Sequence, residues 1–263
     1  MSSPMEPIQS LWIGDRLSRV EALSIRSFLA NGHPYHLYAY EDLDGVPDGA
    51  TVFDANAIVP RRYIFRTAGS LSIFSDWFRQ ELLFQRGGYW ADLDLVCLKP
   101  LDFDEPIVLG KVDCSRVSNA LMRFPAGHAV TRQLADVSRE PNMVVPFDSA
   151  RDRRRKLVRK YLLGNRRSNV EWGEASGPSG MTRMVKHHGL WTLAKPYYYF
   201  HPVHFSFWAC AFDTTFEEGL DFFASSYTIH LWNEKIRRAA RNKDGPFNPG
   251  SLIQRLMEKY RVT

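Results

Sequence analysis

The chain has 263 residues, of which 44% are hydrophobic, and a formal net charge of +5 at pH 7. This composition is sufficient for one large globular domain or two small ones. No apolar run reaches the length of a membrane-spanning helix, and the start, MSSPMEPIQS, lacks the basic and apolar regions of a signal peptide. The 3 cysteines are scattered, which fits neither a disulfide framework nor a zinc site and favours a reducing compartment.

The N-terminal residues predict a strand, a helix and a second strand. Residues 8–13 are apolar and extended in character, residues 18–30 are amphipathic, and residues 34–40 alternate. Elements of these lengths predict a βαβ unit with parallel strands. Ligands bind at the carboxyl ends of such strands. A site at the end of the first strand would include Trp12, Ile13 and Gly14.

The stretch from residue 70 to 101 carries the strongest pattern in the chain. Residues 71–86 predict a helix with one broad apolar half, and two glycines then end it. A helix this apolar is expected to be mostly buried. Asp76 and Arg79 lie three residues apart on its narrow polar stripe. Since buried charges need partners, we expect this stripe to face a cleft.

A D-x-D triplet, Asp92 and Asp94, follows directly after a short β-prone segment. Alternation along an extended chain would place both carboxylates on one side. Carboxylate oxygens suit Mg²⁺ or Mn²⁺, which also bind phosphate oxygens. Most such triplets are solvated loop acids. Here the triplet lies between an apolar helix and the apolar run 95–98, where unpaired acids would be costly, and this favours a metal site.

The rest of the chain predicts further strands and helices without a linker or repeat. The predicted strands are 106–111, 119–124 and 227–232. The predicted helices are 127–137, 148–165, 178–188 and 247–260, and a basic helix is predicted to start at 233. The helix at 148–165 is densely basic with one apolar face. Three interpretations stay open for it: a solvated helix face, attraction to an anionic bilayer, or nucleic-acid binding, which no accompanying motif supports.

Together these motifs resemble a known class of enzyme. The pattern S-D-x-x-R, then G-G-Y-x-x-D-x-D and a K-P-L tail, is similar to D-x-D-containing glycosyltransferases of the GT-A type. It resembles the family that contains the yeast initiating α-1,6-mannosyltransferase and the α-1,4-galactosyltransferases, and the clostridial glucosylating toxins share the core. The resemblance covers residues 8–101, with shorter matches near Ser176 and His230. It implies one GT-A-like α/β domain over 1–263: a mostly parallel, Rossmann-like sheet with helices on both faces and a helical insertion near 125–190.

The resemblance also implies an activity and a set of site residues. The activity is metal-dependent, configuration-retaining transfer of a hexose from a UDP- or GDP-sugar to a hydroxyl of a glycan or lipid-linked acceptor. Residues 1–124 would bind the nucleotide sugar, and 125–263 would form the acceptor side and the closing segment. The implied catalytic residues are Asp76, Arg79 and Asp94. The implied donor-binding residues are Trp12, Ile13, Gly14, Asp76, Arg79, Asp92, Ser176 and Trp232. The implied ligands of Mn²⁺ or Mg²⁺ are Asp92, Asp94 and His230.

Alternatives to this function remain open at the level of sequence. A toxin-like transferase that modifies a protein is one, a D-x-D phosphohydrolase with an aspartate nucleophile is a second, and a non-catalytic sugar-binding protein is a third. Family members of the Golgi carry a membrane anchor that is not visible in this chain. We therefore expect a cytoplasmic protein, with peripheral contact at the inner membrane face through 151–167 as a further expectation and with no nucleic-acid partner.

Overall fold

The computed structural model describes residues 5–140, 142–170 and 173–262. Its strands are β1 Ile8–Leu11, β2 Tyr35–Ala39, β3 Ala50–Asp54, β4 Gly88–Ala91, β5 Leu95–Cys97, β6 Val108–Lys111, β7 Val117–Phe124, β8 Ala194–Lys195 and β9 Thr228–His230. Its α-helices are α1 Arg19–Ala30, α2 Ser72–Arg86, α3 Ala129–Arg139, α4 Ala150–Tyr161, α5 Pro178–His187, α6 Tyr197–Phe200, α7 Asn233–Arg238 and α8 Leu252–Lys259. Among these described helices, none combines the length and apolar composition needed to cross a bilayer.

Seven strands form one sheet in the order β3-β2-β1-β4-β7-β6-β8, and β5 pairs with β9 in a separate two-stranded sheet. The strands β3, β2, β1 and β4 are parallel to one another, whereas β7 runs antiparallel between β4 and β6. Because β1 and β4 are adjacent and parallel, their carboxyl ends meet at one edge. Trp12 follows β1 and Asp92 follows β4, so both lie at that edge.

Helices cover both faces of the sheet. Successive side chains of a strand point to opposite faces, so apolar residues on both faces need to be covered. In β4, Trp90 packs with Phe78 of α2, while Tyr89 lies in the opposite cluster with Phe28 of α1. The α/β architecture expected from the sequence is therefore confirmed: a mostly parallel sheet with helices on both faces. The helical insertion between β7 and β8 is also present as α3, α4 and α5.

Helix α2 ends where the sequence predicts, for two physical reasons. Gly87 has φ 67°, a conformation that disfavours any side chain. A Cβ there would also lie 2.5 Å from the backbone nitrogen of Ala126. The last helix, in contrast, is shorter than predicted. It begins at Leu252, because Ser251 accepts a hydrogen bond from the backbone of Gln254 and caps it.

Candidate functional site

Helix α2 presents Asp76 to the interior rather than to solvent. The side chain is only 6% exposed. The amide nitrogen of Asn119 on β7 donates to Asp76 Oδ1 at 2.8 Å, and Arg79 Nη2 lies 3.4 Å from the same oxygen. Burial raises the pKa of Asp76 to about 6, although the Arg79 charge opposes this shift. Asp76 is therefore mostly ionised at neutral pH and titrates in the mildly acidic range.

Arg79 connects Asp76 to the D-x-D turn. Its Nη2 lies 3.0 Å from Asp92 Oδ1, and its Nη1 donates to the carbonyl of Asn119 at 2.5 Å. The guanidinium also lies over the ring of Trp90, 5.0 Å from the centroid. Arg79 thus forms ion pairs with both carboxylates at once. Its expected contact with a donor hydroxyl or diphosphate stays a prediction.

Asp92 and Asp94 lie in a tight turn between β4 and β5. The expectation that an extended chain aligns the two carboxylates is wrong, because Leu95 N–H donates to the carbonyl of Asp92 at 3.1 Å and closes the turn. The carboxylates still converge. Leu93 between them is buried and anchors the turn in the core. Asp92 keeps a 26% exposed side chain and accepts from the indole of Trp90 at 2.9 Å.

The C-terminal part of the chain supplies the other side of this turn. His230, the last residue of β9, places Nε2 3.1 Å from Asp94 Oδ2. The backbone nitrogen of Asn233 donates to the same oxygen at 2.5 Å. Burial would raise the pKa of Asp94, but the His230 charge and these hydrogen bonds outweigh it and lower the pKa. Asp94 is therefore held as a carboxylate.

Two neighbouring rings hold His230: the buried His201 and the partly exposed Trp232. Its Nδ1 lies 3.3 Å from Nδ1 of His201, and its ring stacks on Trp232 with 3.9 Å between centroids. Trp232 has φ 60°, unusual for an aromatic residue, and its indole donates to the carbonyl of Val203 at 2.8 Å. Burial keeps the pKa of His201 well below the usual value, so this imidazole is neutral.

The residues around Asp94 fit a divalent cation. Ligand atoms of Asp92, Asp94 and His230 all lie within 4.8 Å of one another. Two carboxylates and an imidazole suit a divalent transition ion. The site contains one guanidinium and three carboxylates, those of Asp76, Asp92 and Asp94. This excess of negative charge also favours binding of a cation. Among the described residues, the buried Asn233 Oδ1 has no hydrogen-bond partner.

The turn before α5 closes over Asp76. A Cβ on Gly177 would lie 3.3 Å from Asp76 Oδ2 and 2.5 Å from the Cα of Gly173, so only glycine fits. The carbonyl of Ser176 accepts from Asn119 at 3.2 Å. The hydroxyl of Ser176 is bound to Ser138, 2.5 Å away, and is not directed at the carboxylates. Ser176 therefore contacts this site through its backbone.

At the end of β1, Trp12 is partly exposed, as are Ile13 and Gly14. The indole nitrogen of Trp12 is buried and, within the described part of the chain, has no hydrogen-bond partner. Lys243 lies over this ring, 5.4 Å from its centroid, and forms an ion pair with the buried Glu21. Glu21 in turn accepts from the Asn233 side chain at 3.0 Å. A series of contacts through Lys243, Glu21 and Asn233 therefore joins Trp12 to the Asp94 turn.

Sequence reasoning did not assign His201, Asn233 or Lys243 to the site. Asn233 directly follows Trp232 in the segment H-L-W-N, where the sequence predicts the start of a helix. His201 lies in an aromatic run that packing alone would explain. Lys243 belongs to a basic segment whose charge gives no sign of a buried partner. Only tertiary contacts distinguish these three residues from their neighbours.

Two of three comparisons with known proteins find a match. Residues 168–260 match the family model described as the alpha 1,4-glycosyltransferase conserved region. Among solved structures, the chain titled PaToxG glycosyltransferase matches at 14% identity, over 70% of this chain and 69% of that chain, with a TM-score of 0.46. A comparison with curated proteins finds no match. The family match is confined to residues 168–260, and there it agrees with the expected relationship to glycosyltransferases.

Proposed function

We propose that this glycosyltransferase is a metal-dependent, retaining enzyme that moves a hexose from a UDP- or GDP-sugar to a hydroxyl acceptor. The observation that carries the proposal is the convergence of Asp92, Asp94 and His230 at one point, from segments far apart in the chain. An Mn²⁺ or Mg²⁺ ion held there would stabilise charge on the leaving diphosphate. The imidazole ligand favours Mn²⁺ of the two.

The proposed role of Asp76 is to accept hydrogen bonds from hydroxyls of the donor sugar. Its Oδ1 already accepts from Asn119, and Oδ2 faces the Gly177 turn. Asn119 fixes the carboxylate in one orientation, so the remaining lone pairs are directed before the sugar arrives. The Arg79 charge lowers the pKa of both Asp76 and Asp92 and so opposes the rise that burial causes.

For the nucleotide, we propose the surface formed by Trp12, Ile13 and Gly14. The unpaired indole nitrogen of Trp12 is a donor for the base or ribose, and Lys243 over the same ring supplies positive charge towards the phosphates. Trp232, stacked on His230, would lie against the diphosphate and exclude water. Ser176 would support the sugar pocket through its carbonyl.

Retention of the anomeric configuration implies that the new glycosidic bond forms on the face of the sugar ring that the leaving diphosphate occupies. In the proposed front-face path, the bond between the anomeric carbon and the diphosphate oxygen breaks as the acceptor oxygen bonds to that carbon. The acceptor proton passes to the departing diphosphate oxygen. Asp76 is already bound to Asn119 and Arg79, which favours a role in binding over one as a covalent nucleophile.

The acceptor side is proposed to lie in residues 125–263, opposite the nucleotide-sugar part, within one domain. A glycan or a glycolipid would supply the hydroxyl, and the exposed Tyr197 and Tyr198 offer rings on which a sugar can stack. A cytoplasmic enzyme that uses a lipid-linked acceptor would work at the inner membrane face, and the basic stretch 151–167 would be its contact.

A donor-hydrolysis screen tests this function. UDP- and GDP-sugars are incubated with the protein and Mn²⁺ without acceptor, and free sugar and nucleotide are measured. One donor should be hydrolysed slowly by the wild-type protein and not by Asp94→Asn. Asp136→Asn, a surface change in α3 far from the D-x-D turn in the chain, is the matched control. If no donor is hydrolysed, or if both variants hydrolyse equally, the proposed function is wrong.

A further inference from the structure

Helix α4 has the reverse of the usual amphipathic arrangement. Three of its apolar residues, Leu157, Val158 and Tyr161, are exposed, and Leu162 and Leu163 directly after it are exposed as well. Tyr161 is 72% exposed and Leu162 76%. Single exposed apolar residues are ordinary, but five within seven positions form a patch.

The inward side of the helix carries charges, and all of them are paired. Lys156 binds Asp148 at 2.8 Å in a buried ion pair. Arg155 and Arg159 bind Glu174 at 2.8 and 3.0 Å, and Lys160 binds Glu140. At about 100° per residue these positions share one half of the helix. Ion pairs therefore fix the orientation of α4, and the apolar residues are directed outward as a consequence.

The outward half also carries cations. Arg151, Arg153 and Arg154 are exposed, and within the described residues no hydrogen bond or ion pair is formed by their side chains. They occupy the first turns of the helix, and the apolar patch occupies the last. A shallow groove lined by Arg151, Arg154, Val158 and Leu163 joins the two regions. Solvation alone explains outward arginines, but not the apolar residues beside them.

We propose that this outward face, formed by Arg151, Arg153, Arg154, Leu157, Val158, Tyr161, Leu162 and Leu163, docks on an anionic lipid bilayer. The arginines attract negatively charged head groups, and the apolar residues enter the interface between head groups and acyl chains. A net charge of +5 for the whole chain adds to this attraction. The combination of cations and large apolar side chains on one exposed surface favours a bilayer over a nucleic acid, which would leave the apolar residues in water.

The docking surface is connected to the sugar pocket by a short series of contacts. Arg155 and Arg159 hold Glu174, which lies two residues before Ser176. The Ser176 carbonyl accepts from Asn119, and Asn119 donates to Asp76. If the proposed function holds, a bilayer on α4 would bring the sugar pocket close to lipid-linked acceptors.

Vesicle co-sedimentation tests the proposal with four proteins. These are the wild type, the charge variant Arg151→Glu/Arg153→Glu/Arg154→Glu, the apolar variant Tyr161→Ser/Leu162→Ser, and the control Arg86→Glu/Lys259→Glu/Arg261→Glu. The control changes net charge by the same amount at exposed positions elsewhere. Each is mixed with phosphatidylcholine vesicles, with or without phosphatidylglycerol, at about 0.15 M ionic strength.

The wild type and the control should bind only the vesicles that contain phosphatidylglycerol. The charge variant should lose about a hundredfold in partitioning, since each arginine near such a surface contributes several-fold. The apolar variant should lose about tenfold. The proposal is overturned if the wild type binds neither vesicle, if the charge variant binds like the wild type, or if single-stranded RNA displaces the protein from vesicles. It is also overturned if the apolar face instead joins two copies, seen as a dimer that the apolar variant dissociates.

Two further measurements distinguish loss of vesicle binding from misfolding and from loss of activity. Thermal unfolding of each variant identifies any that does not fold. Donor hydrolysis in vesicle-free solution should be equal in all four proteins, because the substituted residues lie outside the site. Loss of vesicle binding with full hydrolysis supports the docking surface. A wild type that binds vesicles but hydrolyses no donor contradicts the proposed function and leaves the docking surface standing.

Discussion

His230 Nε2 lies 3.1 Å from Asp94 Oδ2, although 136 residues separate the two in the chain. Strand pairing fixes this distance, because His230 is in register with Leu95, the residue after Asp94, in the antiparallel pair of β9 and β5. Backbone bonds from Leu231 and Asn233 hold the carbonyl and carboxylate of Asp94 from the same side. The candidate metal site therefore forms only when the C-terminal segment has folded back onto the D-x-D turn.

Arg79→Ala should destabilise the protein much more than loss of a surface ion pair. The guanidinium is 5% exposed and neutralises both Asp76 and Asp92. Its removal leaves buried carboxylates without a cation, which costs about 3–5 kcal/mol of unfolding free energy. Urea denaturation measures this loss. The control Arg139→Ala breaks a surface pair with Asp136 and should cost about 0.5 kcal/mol or less. Similar losses of unfolding free energy in both variants would show that Arg79 contributes no more to stability than a surface ion pair.

Asp76→Asn should change how stability depends on pH. The pKa of Asp76 in the folded protein, about 6, is above its ordinary value of 3.8. The native state therefore holds this proton more tightly than the unfolded state. The resulting stabilisation is complete below pH 3.8 and is lost as pH rises through about 6. Relative to Asp76→Asn, the wild type should lose about 2–3 kcal/mol of unfolding free energy between pH 4 and pH 7. A constant difference across this range would contradict the raised pKa.

His201→Leu should weaken metal binding without contact between His201 and the metal. A ligating imidazole is oriented by the partner of its other nitrogen, and for His230 that partner is the neutral ring of His201. Manganese titration followed by calorimetry should show affinity reduced about tenfold or more. His201→Asn, whose amide can replace Nδ1, should recover part of the affinity. If the asparagine variant is no better than the leucine variant, His201 only fills space.

Removal of the Trp232 ring should raise the ratio of donor hydrolysis to transfer, because the ring stacks on His230 and is proposed to exclude water. Two variants separate this effect from backbone strain. Trp232 has φ 60°, which glycine adopts freely and alanine does not. Trp232→Gly should therefore be more stable than Trp232→Ala, while both show the raised ratio. Hydrolysis and transfer are measured with one donor and one acceptor. A ratio that rises only in the alanine variant would assign the effect to strain.

Local patterns predicted much of this molecule. The apolar period of residues 71–86 and the two glycines after it gave the position of α2, and with it Asp76 and Arg79. Residue order alone could not show that Arg79 joins Asp76 to Asp92, because that contact depends on how α2 packs against β4 and β7. The turn at Asp92–Asp94 was also missed, since alternation predicts an extended chain there.

The orientation of α4, with its apolar residues outward, also could not be predicted from the sequence. In most surface helices the apolar residues pack inward. The ion pairs with Asp148 and Glu174 reverse this arrangement, and both partners lie outside the helix. Long-range charge pairing leaves no periodic signal, so only the folded structure reveals which half of the helix faces outward.

The most direct test of the central claim is donor hydrolysis in the presence and absence of a chelator. The wild-type protein is assayed with its donor in excess EDTA, and Mn²⁺ is then added back beyond the chelator. If Asp92, Asp94 and His230 hold a catalytic cation, hydrolysis should stop in EDTA and return with Mn²⁺. Asp94→Asn should remain inactive in both conditions although it folds. Undiminished hydrolysis in excess EDTA would contradict a metal-dependent site at the D-x-D turn.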